Sequence, residues 1–252
     1  MSGLYNQRMK IIHLHQSVLT GLLACLSVSV SAGPKITPSE GTFSFGKTTQ
    51  HTVLTKRFWI KSVGDTPARI VEVKPDCGCT ELFLADSLVK PNDSTALDLV
   101  LHTRSFLGFI EKRPLIRIAD SNDTTRIKLY AEIMVKPENA KPLVITPEKV
   151  DVSQYSAKTR RKGTFTITNN GFSDYRISVV DSGNKSFEVV LPKLIKAGGK
   201  VEGQVIVHKT AVPTSFEESF TFEIDDDGLS RYSVPVWRQY QVKDASATSA
   251  GK

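Results

Sequence analysis

The chain carries one pattern twice, and this internal repeat limits the folds that are open to it. Phe58 and Phe165 each lie in an apolar strand-like run of the 252-residue sequence. Gly64 and Gly171 follow with the same separation, as do Ile70 and Ile177. A constant offset over several short segments indicates that one domain of about that length has been duplicated.

Apolar residues within each repeat recur at every second position. This alternation is clearest in two runs, Leu97-Leu99-Leu101 and Phe220-Phe222-Ile224. Alternation predicts half-buried antiparallel strands, and turn residues such as Gly, Asn and Asp separate the runs. About seven strands per repeat of this length are typical of an immunoglobulin-like sandwich. The sequence therefore predicts an all-β fold of two tandem immunoglobulin-like antiparallel β-sandwiches.

Prolines interrupt two of the predicted strands. Pro114 lies inside the apolar run 109–118, and Pro235 lies inside the last strand-like run of the second repeat. Proline cannot donate a backbone hydrogen bond to a neighbouring strand. We therefore expect an edge strand or a bulge at each of these two positions.

Composition shifts divide the chain into five segments. The linker contains prolines on both sides of a polar run and is expected to be short and stiff. The C-terminal tail has no large apolar side chain and is expected to be disordered. The predicted segments are a signal peptide at 1–32, a first domain at 33–137, a linker at 138–142, a second domain at 143–242 and a tail at 243–252.

The N-terminus has the features of a secretory signal peptide. Arg8 and Lys10 precede a short apolar stretch, which ends at small residues and a cleavage site after Ala32. Cys25 offers an alternative as a lipid-attachment site, although the apolar run continues past it. No later segment is long enough to span a membrane. We expect an exported protein, periplasmic or extracellular, with association to the cell envelope as an option and with no nucleic acid among its partners.

The charge of the chain is only modestly positive. The whole sequence carries 33 basic and 26 acidic residues, and removal of the predicted signal peptide leaves 31 basic residues and a net charge of +5. Such an excess favours contact with anionic envelope polymers or lipid headgroups. It does not identify a partner, which stays unknown among envelope proteins and polymers.

The first repeat resembles the bacterial exported family known as domain of unknown function 1573. The matching elements are Phe43-Ser44-Phe45-Gly46, the aromatic strand from Phe58 to Asp65, Cys77-Gly78-Cys79-Thr80, Pro91-Asn92 and Gly108. The resemblance implies a sandwich related to the Hydin and major-sperm-protein group, without an established activity or catalytic residues. The chain departs from the family at Asn92, where glycine is usual. The second repeat is a diverged copy, with Asn184 and Ser186 at the cysteine positions.

Cys77 and Cys79 are the candidate functional residues. They are predicted to form a local disulfide, or to pack as small apolar side chains at the end of a strand. Gly78 between them would permit the unusual backbone angles that such a small ring requires. Two further alternatives are a Cu(I) site, with a third ligand from His51, His102 or His208, and dithiol exchange. Asp76 and Glu81 disfavour a reactive thiolate and therefore disfavour dithiol exchange.

Other catalytic motifs are missing from the sequence. It contains no Gly-rich phosphate loop, no His-Glu-x-x-His and no Gly-x-Ser-x-Gly. The sequence therefore predicts no enzyme activity, no catalytic residues, no cofactor and no metal site beyond the Cu(I) alternative. The expected function is a non-enzymatic envelope module that binds partners through sandwich surfaces and sheet edges. A thiol-redox or copper protein and a two-domain periplasmic chaperone are the alternatives.

Overall fold

The computed structural model describes residues 33–181 and 186–241. The predicted signal peptide, Cys25, Asn184 and the predicted tail at 243–252 lie outside the described residues. The strands of the first half are β1 (Ile36–Pro38), β2 (Thr42–Thr49), β3 (Val53–Ser62), β4 (Ala68–Lys74), β5 (Thr80–Leu84), β6 (Leu88–Val89), β7 (Ser94–His102), β8 (Gly108–Lys112), β9 (Leu115–Ile118), β10 (Thr124–Arg126) and β11 (Lys128–Met134).

The second half is built in the same way. Its strands are β12 (Leu143–Thr146), β13 (Val150–Asp151), β14 (Lys162–Asn169), β15 (Tyr175–Asp181), β16 (Phe187–Val190), β17 (Leu194–Ile195), β18 (Lys200–Val207), β19 (Phe216–Ile224) and β20 (Arg231–Arg238). Short 3-10 helices span Pro137–Asn139 and Lys209–Ala211. The described residues thus form eleven strands in the first half and nine in the second. This is more than the seven or so expected per repeat because each half also contains very short strands, such as β6, β10, β13 and β17.

Each half buries its own hydrophobic core between β-sheets. In the first half β1, β3, β7 and β5 form one sheet, and β10, β9, β4 and β6 form a second one. In the second half the corresponding sheets are β12-β14-β18-β16 and a sheet that contains β17, β15, β19 and β20. The buried apolar side chains form two clusters, one within residues 36–133 and one within residues 143–236. The predicted all-β class with antiparallel sheets is confirmed.

The predicted alternation places the core side chains. Leu97, Leu99 and Leu101 on β7 are almost fully buried, while the residues between them are partly exposed. Phe220, Phe222 and Ile224 on β19 are also buried. In this sequence the period of two selects the face of the strand that packs into the core.

The pairing of the strands repeats with the offset that the sequence shows. Ile36 on β1 lies opposite Ser62 on β3. Leu143 on β12 lies opposite Asn169 on β14, so both partners are displaced by the offset that separates Phe58 from Phe165. Corresponding positions in the two halves can therefore be compared residue by residue.

The chain changes sheets at Pro114. β8 ends at Lys112 and pairs with β11, whereas β9 begins at Leu115 and pairs with β4 and β10. β8 is the last strand of its sheet. The expectation of an edge strand or bulge at Pro114 agrees with this break, because the proline lies where neither ladder needs its missing N–H.

The same expectation is wrong at Pro235, which lies inside the continuous strand β20 between other strands. It is opposite Ser219 on β19, and Ser219 turns its backbone N–H and C=O away from β20 to bond Thr55. This pair therefore exchanges no backbone hydrogen bonds. On its other side β20 is paired with β2 at Tyr232 and with β13 at Val236. Pro235 lies in the gap between these two partners, so the strand tolerates it.

The two halves belong to one compact unit and share a sheet. β2 of the first half runs parallel to β20 of the second half, with Lys47 opposite Tyr232. Gly46 makes this approach possible. It has a φ of +65°, and a Cβ added there would lie 2.0 Å from the carbonyl oxygen of Arg231. The Phe-x-Phe-Gly motif therefore ends in the glycine that lets the two halves meet.

Buried polar contacts join the halves beside the shared sheet. The backbone N–H of Thr55 donates to Ser219 Oγ at 2.9 Å, and the N–H of Ser219 donates to Thr55 Oγ1 at 3.2 Å. Lys56, only 5% exposed, lies 3.1 Å from both Asp181 and Glu40. Its ammonium group also lies 4.3 Å from the centre of the Phe43 ring. Because these buried polar groups are partnered across the contact, the two halves meet in a specific arrangement.

Candidate functional site

The Cys-Gly-Cys segment forms a tight loop between two strands. β4 ends at Lys74 and β5 begins at Thr80, whose backbone N–H donates to the carbonyl of Cys77 at 3.3 Å. Cys77 and Cys79 are joined by a disulfide with their Cα atoms 5.2 Å apart. That separation lies within the range that disulfides adopt. The functional role of the pair stays a prediction.

The two sulfur atoms have different surroundings. Cys79 is 2% exposed and belongs to the core of the first half, whereas Cys77 is partly exposed. The sulfur of Cys77 accepts a hydrogen bond from the backbone N–H of Cys79 at 3.3 Å. The hydroxyl of Thr80 lies 3.4 Å from the same sulfur. These two groups are placed to stabilise negative charge on the Cys77 sulfur after reduction, and the Thr80 hydroxyl also lies 3.9 Å from the Cys79 sulfur.

Gly78 does not adopt the unusual backbone angles that were expected of it from the sequence. Its φ lies outside the left-handed region, and the disulfide closes without it. A Cβ added at Gly78 would meet no atom within 4 Å. The glycine is exposed, so its absent side chain leaves open space beside the disulfide.

Two arginines hold the loop beside β8. The backbone N–H of Arg113, just after β8, donates to a carboxylate oxygen of Asp76 at 2.6 Å. The guanidinium of Arg104, a few residues before β8, donates to the carbonyl of Gly78. The backbone N–H of His102 donates to the carbonyl of Cys79 at 2.8 Å. These contacts place the loop against the segments that lead into and out of β8.

The predicted metal ligands do not gather at this loop. Within 33–181 and 186–241, no group of three or more His, Cys, Asp and Glu residues is placed to hold a metal ion. The His102 ring bonds Glu81 at 2.9 Å. His208 lies in the second half, where its N–H donates to Ser186, and His51 donates its N–H to the carbonyl of Arg104. The Cu(I) alternative stays a prediction that would require reduction of the disulfide.

β8 presents an open backbone edge beside the loop. The backbone N–H of Ile127 donates to the carbonyl of Pro114. In this antiparallel pair, every second residue counted back from Pro114 along β8 therefore points its backbone N–H and C=O towards β11. The backbone groups of Phe109, Glu111 and Arg113 therefore point away from β11. The backbone N–H of Arg113 donates to Asp76, so within residues 33–181 and 186–241 Phe109 and Glu111 are the open part of the edge. The side chain of Phe109 is 83% exposed.

A pair of opposite charges lies on this edge. Glu111 and Arg113 form an ion pair. The hydrogen bond from Arg113 lowers the pKa of Glu111, and the same bond raises the pKa of Arg113. Both groups are solvent-exposed, so the pair fixes the orientation of the side chains more than it stabilises the fold.

The sequence reasoning missed most of this site. Pro114 indicated an edge strand, but nothing in the pattern showed that Phe109 would be exposed. Arg104 and Arg113 were also missed. Their contacts with the loop join segments that are far apart along the chain, and residue spacing alone does not predict such contacts.

The fold and the loop define a β-sandwich protein with a local disulfide in its first half. Residues 36–133 match the model of the family described as "Protein of unknown function (DUF1573)". The resemblance seen in the sequence is therefore confirmed over residues 36–133. A comparison with the curated proteins finds no match.

Several solved structures are similar at low identity. A protein of unknown function from Porphyromonas gingivalis W83 is 11% identical, with a TM-score of 0.34 over 81% of this chain and 99% of that one. A PapD-like domain of human CEP192 is 10% identical, with a TM-score of 0.31 over 51% and 99%. The CupB2 chaperone of Pseudomonas aeruginosa is 12% identical, with a TM-score of 0.30 over 79% and 98%. Likenesses at these scores carry no argument about function.

Within residues 33–181 and 186–241, none of the helices has the length and the apolar character needed to cross a bilayer.

Proposed function

We propose that the protein is an exported, non-enzymatic module of the cell envelope that binds a partner protein at the open edge of β8. The observation that carries this proposal is Phe109, 83% exposed on the terminal strand of a sheet. An edge strand offers unpaired N–H and C=O groups to an extended segment of another chain. The partner would add as a further strand next to β8.

The chemistry of the edge fits such an addition. Phe109 and Glu111 each offer one N–H and one C=O, and each hydrogen bond made there contributes about 1 kcal/mol. Burial of the Phe109 ring by the partner adds about 2 kcal/mol. Leu107, 60% exposed, extends the apolar surface at the start of the strand. Side chains of the partner that cover Phe109 and Leu107 would supply most of the affinity.

Glu111 allows the backbone to be tested separately from the side chain. Glu111→Pro removes an outward-facing N–H without a change in the ladder to β11, and Glu111→Ala removes the same side chain but keeps the N–H. We expect mild crosslinking on intact cells to capture a specific partner with the wild type and with Glu111→Ala. Capture should be lost with Glu111→Pro.

A control for surface hydrophobicity is available in the second half. Phe172 is fully exposed in a turn, so Phe172→Ala should leave capture unchanged while Phe109→Ala weakens it. Equal capture by Glu111→Pro and Glu111→Ala would show that the β8 backbone is not the binding element.

Export rests on the N-terminal sequence and is supported by the disulfide, because disulfides persist mainly in oxidising compartments. Mass spectrometry of the alkylated protein recovered from cells tests it. We expect a chain that begins at Gly33 with Cys77 and Cys79 protected from alkylation. A chain that retains residues 1–32 in the cytoplasm would contradict export, and a lipid on Cys25 would support the alternative anchor.

Thiol exchange is a second candidate function, favoured by the two donors at the Cys77 sulfur. A thiolate of a partner dithiol would attack the Cys77 sulfur, so that the Cys77–Cys79 bond breaks and Cys79 leaves as a thiolate. The second thiol of the partner, after losing its proton, would then attack the partner sulfur and release Cys77. The partner gains a disulfide, and its two protons pass to Cys77 and Cys79.

The order of reactivity tests this second candidate. In reduced protein, Cys77 should be alkylated faster than the buried Cys79, and Cys79→Ala should accumulate a mixed disulfide with glutathione while Cys77→Ala does not. Faster alkylation of Cys79 would exclude this mechanism. The chaperone-like alternative stays a prediction.

A further inference from the structure

A tyrosine ring fills a slot at the edge of the second half. Tyr232 on β20 is 1% exposed and stacks on Phe222, with the ring centres 5.3 Å apart. Its hydroxyl accepts a hydrogen bond from the N–H of Leu143 at 3.3 Å and donates to the carbonyl of Lys141 at 3.1 Å. Burial raises the pKa of Tyr232, so the ring remains a neutral phenol.

The first half contains the corresponding slot with smaller residues. Tyr232 lies opposite Phe222 in the second half, and Thr125 lies opposite Ile116 in the first. The next strand of each sheet shows that these two pairs are equivalent. Ile224 lies opposite Ile177 in the second half, Ile118 lies opposite Ile70 in the first, and Ile177 and Ile70 are equivalent positions of the repeat. Thr125 and Ile116 therefore occupy the positions of Tyr232 and Phe222.

The smaller residues leave a cavity where the ring would be. It has a volume of about 260 Å³, and Ile36, Ile116, Ile118 and Thr125 are among its walls. An apolar cavity of about 150 Å³ is already large enough for a benzene ring. The cavity in the first half is therefore large enough for one aromatic ring, and it is partly open with a lining more polar than apolar, to which Ser121, Asp123 and Thr124 contribute.

The backbone groups that hold the tyrosine hydroxyl also have counterparts here. Ile36 and Pro34 correspond to Leu143 and Lys141 by the offset between the repeats. Lys35 and Ser39 use their backbone groups to bond the neighbouring strand β3. Backbone groups alternate in direction along a strand, so the N–H of Ile36, the first residue of β1, points away from β3. This N–H and the carbonyl of Pro34 are thus the counterparts, by the repeat, of the donor and the acceptor that hold the Tyr232 hydroxyl.

We propose that this cavity is a recognition pocket for one tyrosine side chain of a partner polypeptide. The ring would lie beside Thr125 with its edge against Ile118 and Ile36, since Ile116 is only 1% exposed, and its hydroxyl would bond Ile36 N–H and the Pro34 carbonyl. The pocket opens between β1 and β10, which are the terminal strands of their sheets. A partner chain can reach the pocket from that side, and the pocket is separate from the β8 edge.

Binding of the ring is tested with p-cresol, the side-chain analogue of tyrosine, and with acetyl-Gly-Tyr-Gly-amide. NMR spectra of the whole protein, with isotope labels on its isoleucine methyl groups, show where each probe binds through changes in chemical shift. We expect saturable shifts at Ile36, Ile116 and Ile118 with a Kd of about 1 mM for p-cresol. The tyrosine peptide should bind at least as well, and acetyl-Gly-Ala-Gly-amide should cause no shift. Ile167 and Ile177 in the second half should not respond to any probe.

A variant that fills the pocket with a tyrosine of the protein itself tests whether the ligand binds there. Thr125→Tyr introduces the residue of the second half and should weaken peptide binding about tenfold or more. Lys128→Tyr adds the same side chain at an exposed position of β11 and should leave binding unchanged. Absence of methyl shifts with wild-type protein would overturn the proposal even if Thr125→Tyr failed to fold.

The remaining outcomes also decide the question. Binding of p-cresol without binding of the tyrosine peptide would show that the mouth does not admit a polypeptide, and would overturn the partner assignment. Peptide binding that persists unchanged in folded Thr125→Tyr would place the ligand elsewhere and overturn the pocket.

Discussion

Reduction of the Cys77–Cys79 disulfide should cost the fold little stability. The bond closes a very short loop, because the cysteines have a sequence separation of 2. In the chain-entropy model a loop of that length contributes about 1.6 kcal/mol at 25 °C, against about 3 kcal/mol for a 15-residue loop. We therefore expect a reductant to lower the free energy of unfolding by about 2 kcal/mol or less. Its principal effect should fall on the loop, where Asp76 and Gly78 bond the residues that flank β8.

Urea unfolding measures this difference, with the fluorescence of Trp59 and Trp237 reporting the two halves. Reduction is preferable to a serine substitution, because Cys79 is 2% exposed and a buried hydroxyl would add its own cost. The variant Cys77→Ala/Cys79→Ala is the control, since the reductant should not change its unfolding curve. A loss above about 3 kcal/mol, or unfolding at about 25 °C, would refute the view that the bond is local.

Three further predictions concern the contact between the halves. Gly46→Ala should destabilise the protein by about 2 kcal/mol or more, because its Cβ would lie 2.0 Å from a carbonyl oxygen of β20. Gly78→Ala, with open space around its Cβ, is the matched control and should change the free energy of unfolding by less than about 0.5 kcal/mol. Thr55→Val and Ser219→Ala should each cost about 1 kcal/mol. Their double-mutant cycle should show coupling, and strictly additive losses would contradict the reciprocal bonds. Lys56→Met should lower stability by about 3 kcal/mol in the same urea assay, because it removes the lysine partner of a buried carboxylate.

The sequence predicts the parts of the fold that depend on local patterns. Alternation places Leu97, Leu99 and Leu101 in the core because a strand has two faces and only one is buried. The offset between Phe58 and Phe165 predicts equivalent strands, since a duplicated domain keeps its pairing. Both inferences use only neighbours along the chain or copies of one segment.

The parts that the sequence did not predict depend on contacts between distant segments. Pro235 is tolerated inside β20 because Thr55, in the other half of the chain, takes the backbone bonds of its partner Ser219. Gly78 was expected to adopt a special φ, but the restriction applies to Gly46, where β20 passes close by. Close approach of two strands leaves no periodic signal in the sequence.

The contact between the halves explains why the first half carries the candidate binding surfaces. In the second half, the backbone N–H of Ser219 points away from β20 and donates to Thr55 Oγ1. The side of β20 that faces away from β19 is paired with β2 at Tyr232. Both covering groups come from the first half. By strand pairing Arg113 is the counterpart of Ser219, and its backbone N–H is bonded within its own half, by Asp76 of the disulfide loop.

This asymmetry has a consequence for binding. A duplicated sandwich in which the first copy covers the second leaves the corresponding edges of the first copy exposed, and among the described residues no strand pairs with the outer edges of β8 and β10. The family match at 36–133 falls on this same half. A partner of the β8 edge should therefore be captured by variants that alter the exposed surface of the second half, such as Phe172→Ala, and lost with Glu111→Pro, while binding of the tyrosine peptide should be lost only with changes in the Thr125 pocket.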